Sequence, residues 1–139
     1  MTPILAPPTG PILLIDDDEF IAGSLRDYLV TRGLCVDVAL EPAVAERLMA
    51  ARQYATVVVD PYLTGGVYGE NASLLDTIHR LQPASAVLIL TGYGSAAMIH
   101  AASADESTTL LFKPQPITYL SQLIVDASTP SHSIKGHAQ

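Results

Sequence analysis

Positive charge is scarce in this sequence: seven lysines and arginines stand against fourteen acidic residues, for a net charge of −7 at pH 7. The basic residues nowhere cluster, which excludes an electrostatic nucleic-acid footprint within the chain, and DNA binding would need another chain. Cysteine is rarer still. Cys35 is alone, so no disulfide closes within one chain, and its setting in Leu34-Cys-Val-Asp-Val38, a predicted strand, marks it as a small buried hydrophobe. His79, His100, His132 and His137 lack metal-ligand spacing and read as surface or tail residues. There is no internal repeat. The stretch from Met1 to Pro11 has no basic residue before its apolar part, unlike a secretory signal, so a cytoplasmic location is expected. Leu81 to Ala104 contains no Asp, Glu, Lys or Arg and is long enough to span a bilayer. Pro83, Gly92 and Gly94 divide it into a strand, a turn and a small-residue helix, so it reads as part of a soluble domain.

What the sequence does contain is apolar runs that stop at charge. Asp16, Asp17 and Asp18 follow Ile12-Leu-Leu-Ile15, Asp60 follows Val57-Val-Val59, and Lys113 follows Leu110-Leu-Phe112. Runs of branched aliphatics bounded by Gly, Pro or charge have the pattern of strands buried on both faces, and open parallel sheets bind ligands beyond the carboxyl ends of their strands. The charges should therefore converge on one rim. Two like charges 4 Å apart cost about 4 kcal/mol at an effective dielectric near 20, so Asp16, Asp17 and Asp60 brought together call for a cation.

A length of 139 residues with 49% hydrophobic content fits one α/β domain. Period and punctuation predict strands over 12–15, 34–39, 56–59, 86–90 and 110–112, alternating with helices over 19–32, 41–52, 71–82, 95–103 and 116–127. In the first helix Ile21, Leu25, Tyr28 and Leu29 fall at helical spacing and Gly33 is a natural stop; in the last, Pro116 precedes Ile117, Leu120, Leu123 and Ile124. Alternating strands and helices predict a doubly wound, flavodoxin-like five-stranded parallel sheet of order 2-1-3-4-5 with five helices, which sets Asp16 and Asp17 beside Asp60. Residues 1–10 are expected to be a flexible N-terminal segment, 11–127 the folded domain, and 128–139 a flexible tail or linker remnant.

In this order the residues resemble the receiver domain of two-component response regulators, in its single-domain form. The family has an acidic pair after strand 1, here Asp16-Asp17, and an aspartate after strand 3, here Asp60. Thr-Gly follows strand 4 as Thr91-Gly92, and Lys-Pro follows strand 5 as Lys113-Pro114. The joint pattern covers nearly the whole folded part and is far more specific than any one element. The resemblance implies that Asp60 accepts a phosphoryl group from a phosphohistidine on a sensor histidine kinase or a histidine phosphotransfer protein, forming an acyl phosphate. It implies a signalling receiver rather than an enzyme, one that catalyses only its own phosphorylation and dephosphorylation and signals by conformational change. Mg²⁺ (or Mn²⁺) would be held by Asp17, Asp60 and the Tyr62 carbonyl, with Asp16 acting through water. Lys113 would pair with the phosphoryl oxygens, the Thr91 hydroxyl would donate to the same group, and Gly92 would leave the approach open. A downstream target, or a second copy, would meet the face formed by helix 4, strand 5 and helix 5. Asp18 and Glu19 read as caps of the first helix.

The sequence departs from the family in two places. Where the family usually has Pro and Gly after its phosphoacceptor, this chain has Thr64 and Tyr68, and Gly69 comes one residue late, which implies a one-residue insertion. Leu110 stands where the family commonly carries an aromatic switch residue. Tyr62 and Tyr93 are bulky residues bordering the path of hydrolytic water, and are expected to lengthen the life of an acyl phosphate. The helix from Ser95 to Ser103 has no charge on any face, which fits either a partner-covered surface or a bland Ala/Ser one. Leu110 and the altered loop also suit a receiver-like interaction module that no longer depends on phosphate. A phosphohydrolase of the haloacid dehalogenase type would use Asp16-x-Asp18, Thr91 and Lys113, but leaves Asp60 without a role and has Phe20 where Thr or Val is expected.

Overall fold

The computed structural model describes residues 9–61, 72–92 and 96–129. Along them run β1 (Ile12–Ile15), α1 (Glu19–Thr31), β2 (Val36–Ala39), α2 (Pro42–Ala51), β3 (Thr56–Val59), α3 (Ala72–Leu81), β4 (Ala86–Thr91), α4 (Ala96–Ser103), β5 (Thr108–Phe112) and α5 (Ile117–Ser128). The strands are all parallel, in the order β2-β1-β3-β4-β5, which is the flavodoxin-like order that the alternation predicts.

The period of two in the strands builds a layer on each face of the sheet. Leu13, Ile15, Val57, Val59, Val87 and Ile89 point one way, onto Ala45 and Met49 of α2 and Leu74 and Ile78 of α3. Ile12, Leu14, Val58, Leu88 and Leu90 point the other way, onto Leu25 and Leu29 of α1 and Leu120 and Ile124 of α5. β1 and β3 are buried along their whole length because both faces are covered, and so they carry aliphatic residues at every position but Thr56, whose hydroxyl has a buried partner. Asp18 caps α1 by accepting from the Phe20 and Ile21 amides at 3.0 and 3.2 Å. Gly33, at φ +87°, takes the left-handed conformation just past that helix. The buried stripe of α1 is Ala22, Leu25 and Leu29, with the predicted Ile21 and Tyr28 only half-buried.

Three expectations are corrected. Cys35 is exposed, and the strand begins after it, at Val36. Alternation puts it on the same face as Asp37, at an open corner of the edge strand where the Arg52 guanidinium lies 3.9 Å from its sulfur and 3.2 Å from Asp37. β5 starts at Thr108 rather than at 110. The fold also extends past both expected borders: the Gly10 amide donates to the Ser128 carbonyl at 3.0 Å, and the Thr56 and Ser128 hydroxyls, both buried, lie 2.6 Å apart. A side chain at position 10 would put its Cβ 2.6 Å from that of Ala55, so this close approach requires glycine. The expected flexible ends otherwise fall on residues 1–8 and 130–139, outside the described residues. Among the described residues no helix is long and apolar enough to cross a membrane.

Candidate functional site

Register brings the acidic residues together. Ile15 lies opposite Val59 in the β1–β3 ladder, so the next residues, Asp16 and Asp60, leave adjacent strands side by side, with the Asp60 amide donating to the Ile15 carbonyl at 2.9 Å. Across the sheet, the Lys113 amide donates to the Thr91 carbonyl at 2.8 Å, which sets Lys113 just past the end of β5; the Lys113–Pro114 peptide is cis. From there its side chain reaches over β4. The Lys113 Nζ donates to Asp16 Oδ2 at 2.8 Å and to Asp60 Oδ2 at 2.9 Å.

These groups are withdrawn from water: Asp16 and Asp60 are each 7% exposed and Thr91 is fully buried. Burial pushes the Asp16 carboxyl above the usual aspartate range, against the lowering effect of its hydrogen bonds from Lys113 and the Asp18 amide. Burial works against the Lys113 ammonium too, but the hydrogen bonds and charges of Asp16 and Asp60 together outweigh it and raise the lysine above its ordinary value. Two buried carboxylates share the one Lys113 ammonium, and Asp17 adds a third acidic side chain at the same rim. Closely set carboxylates are hard oxygen donors of the kind that a small divalent cation takes.

Each predicted residue has a definite place. Asp16, Asp60 and Lys113 meet directly; Asp17 is half-buried at the same rim; Thr91 ends β4 beside Lys113. Gly92 is exposed, and a Cβ built there meets no atom within 4 Å, so packing among the described residues does not demand a glycine. Leu110 packs against the core cluster of β3 and β4. Tyr62, Tyr93 and the loop holding Thr64, Tyr68 and Gly69 lie outside the described residues. Among the described residues no group of three or more His, Cys, Asp or Glu side chains that could hold a metal ion is formed, and Lys113 is the counter-charge instead. Asp18 is exposed and occupied in capping α1, which removes it from the second acidic position that a haloacid dehalogenase site requires.

The sequence reading missed one feature of this rim. Phe20, in the first turn of α1, is 81% exposed close to the acidic cluster. Its signal was available as an aromatic residue within two positions of three consecutive aspartates, where a capping turn needs only polar residues.

The family model for the response regulator receiver domain matches residues 12–125. The photosynthetic apparatus regulatory protein RegA of Rhodovulum sulfidophilum is 31% identical over 103 residues, which cover 74% of this chain and 55% of that protein. The chain thus spans about half the length of the RegA relatives it matches. A crystal structure of a response regulator protein from Burkholderia pseudomallei, with a phosphorylated aspartic acid, calcium ion and citrate, is similar with TM-score 0.70 and 30% identity, covering 92% of this chain and 71% of that one. The solution structure of the beryllofluoride-activated NtrC4 receiver domain dimer gives TM-score 0.69 and 27% identity over 85% of this chain and 95% of that one.

Proposed function

The chain belongs to the response regulator receiver domain family, and from that premise we propose that it accepts a phosphoryl group on Asp60 from a histidine kinase or a histidine phosphotransfer protein and signals by conformational change. The observation that carries the reading is the Lys113 ammonium held between two buried carboxylates, Asp16 and Asp60, at the carboxyl ends of the strands. An Asp60 carboxylate oxygen attacks phosphorus, the bond from phosphorus to the donor imidazole nitrogen breaks, and its electron pair returns to the imidazole. Little covalent assistance is needed, since phosphoryl transfer depends mostly on positioning and on neutralising charge. Lys113 already touches Asp60 and supplies one positive charge to the transferred oxygens. The Thr91 hydroxyl donates to the same group, and Gly92 leaves its approach clear. Mg²⁺ or Mn²⁺ would be held by Asp17, Asp60 and the Tyr62 carbonyl, with Asp16 acting through water, and would supply the rest of the neutralisation; the buried carboxylates set side by side at the strand ends support this assignment.

A donor protein must bring its phosphohistidine to Asp60, so it must cover the surrounding rim. Phe20 is the apolar anchor there, and Phe20→Ala should slow transfer from a protein donor while leaving transfer from a small acyl phosphate unchanged. The downstream target, or a second copy, uses the α4, β5 and α5 face. The site is cytoplasmic in this reading. Tyr62 and Tyr93 shield the acyl phosphate, and unchanged hydrolysis in Tyr62→Asn and Tyr93→Ala would remove that role.

The test is intact mass after incubation with Mg²⁺ and a small acyl-phosphate donor. A base-labile phosphoryl adduct that is lost in Asp60→Asn is the expected result. No adduct from either a small donor or a protein donor would leave the phosphate-independent interaction module, which the packing of Leu110 in the aromatic switch position favours.

A further inference from the structure

β5 differs from the other strands in its coverage. It is an edge strand, Thr-Thr-Leu-Leu-Phe, with no charge, no proline and no fully buried residue, whereas β1 and β3 are buried throughout. Both of its flanks are open. On the α4 side a groove of about 420 Å³ runs along Thr108, Leu110 and Phe112 under Ile99; on the α5 side a cavity of about 290 Å³ lies against Thr109 and Leu123. Natural sheets normally protect an edge with charge, proline, a bulge or a cover, because unpaired backbone groups there template another strand.

Which backbone groups are unpaired follows from the ladder. The Val87 amide donates to the Ser107 carbonyl, and the Lys113 amide donates to the Thr91 carbonyl, so odd-numbered residues of β5 address β4. Thr108, Leu110 and Phe112 then turn their backbone groups outward. Two of those groups are already capped: the Thr108 amide donates to the Asp105 carbonyl at 3.0 Å, and the Phe112 carbonyl accepts from the Gln115 side chain at 2.8 Å. The Leu110 amide and carbonyl, the Thr108 carbonyl and the Phe112 amide are left facing outward.

That set is self-complementary, and we infer that two copies of this chain pair antiparallel along β5 about a two-fold axis at Leu110, joining their sheets into one. In such a pair the two Leu110 residues exchange both hydrogen bonds, and each Phe112 amide donates to the Thr108 carbonyl of the second copy. The four outward groups are used, and the two capped ones are not required. The side chains agree with this register. Leu110 meets Leu110 and Thr108 meets Phe112, which is 44% exposed in the single chain. Charge favours this edge over other surfaces: the chain carries a net −7, so two copies repel except where charge is absent, and β5 bears none while Asp105 falls opposite the neutral Gln115. The inference deepens the reading of the α4, β5 and α5 face as a homodimer surface and rests on it, but it places the contact in backbone hydrogen bonds rather than between helix faces.

Sedimentation velocity over a concentration series, combined with amide hydrogen exchange at low and high concentration, tests it on the whole chain. The expected result is a dimer in which the Leu110 and Phe112 amides exchange about tenfold more slowly or more than in the monomer. Thr109→Lys, at an exposed position that leaves the backbone unaltered, and Phe112→Pro, which deletes an outward amide, should each return the chain to monomer. A dimer whose Leu110 and Phe112 amides exchange as fast as in the monomer would overturn edge pairing and keep the face. A monomer at every concentration would overturn both. Neither result bears on phosphorylation of Asp60, which the mass measurement reads separately.

Discussion

The two ends of the sheet are built from different chemistry. At the amino ends of the strands the buried polar groups are neutral and satisfied. Gln82, 1% exposed, accepts from the Tyr54 amide at 2.8 Å and the Ser85 hydroxyl at 3.1 Å, and donates to the Met49 and Arg52 carbonyls at 2.9 and 2.8 Å. One side chain thus ties the ends of α2 and α3 to the entrance of β3, and the Thr56–Ser128 pair ties α5 to the same strand. At the carboxyl ends charged groups are buried beside the neutral Thr91, and two carboxylates face one ammonium. A satisfied neutral network adds stability and a unique arrangement, while buried charges are costly to desolvate and cluster at functional sites. Stability and reactivity are thereby separated by the length of the strands.

The largest test of this contrast is Gln82→Ala. It removes the glutamine from the buried Tyr54 amide and Met49 carbonyl and from the half-buried Arg52 carbonyl, while the Ser85 hydroxyl keeps the Tyr54 carbonyl. The substitution should cost about 2–4 kcal/mol, read as a shift in the urea midpoint, while the folded fraction still takes phosphate on Asp60. A loss below about 1 kcal/mol would mean that water replaces the glutamine and that the lower end is not what holds these elements.

Divalent metal should act only at the other end. Mg²⁺ at about ten times its dissociation constant should add about 1.4 kcal/mol to wild type by linkage, the same to Gln82→Ala, and much less to Asp60→Asn. Equal stabilisation of all three proteins in thermal melts would place the ion elsewhere. A smaller effect belongs to Ser128→Ala, which leaves the fully buried Thr56 hydroxyl without its partner and should cost about 1 kcal/mol with no change in metal response.

The two ends also differ in how far they can be read from sequence. Strands buried on both faces announce themselves, so β1 and β3 are legible to the residue, and the strand order then puts Asp16 beside Asp60. Reach across the sheet is not legible: nothing in Lys113-Pro114 says that the ammonium crosses β4 to touch Asp16 as well as Asp60. The lower end is nearly invisible, because a glutamine before a proline at the end of a helix looks like a solvated residue, and most of its partners are backbone groups that no side chain labels. Cys35 looks buried because a short apolar window around it suggests a strand interior, whereas it precedes the edge strand β2 and lies beside Asp37 at its open corner. β5 was cut short because Thr108 and Thr109 look like turn residues, although β-branched residues suit an edge strand.

The finest probe of the buried charges is pH, through Asp16. Its carboxyl is raised above the ordinary value of 3.8, chiefly by burial, so between 3.8 and its own value the folded state holds a proton that the unfolded chain has released. Stability from this group is full below 3.8 and is lost as pH rises through the folded value. Asp16→Asn removes the effect, so in metal-free buffer wild type should lose stability relative to the variant as pH climbs from 3.8 through the folded value. Other groups largely cancel in that difference. Asp105, held below the usual range by Ser107 and Thr108, is the same in both proteins, and Lys113 is raised from an ordinary 10.5, so it titrates in neither over this window. Thermal melts from about pH 3 to about pH 7 measure the difference directly. A wild type that instead gains on the variant as pH rises would mean that the hydrogen bonds from Lys113 and the Asp18 amide outweigh burial and favour the ionised Asp16, and the electrostatic case for a cation at this rim would weaken with it.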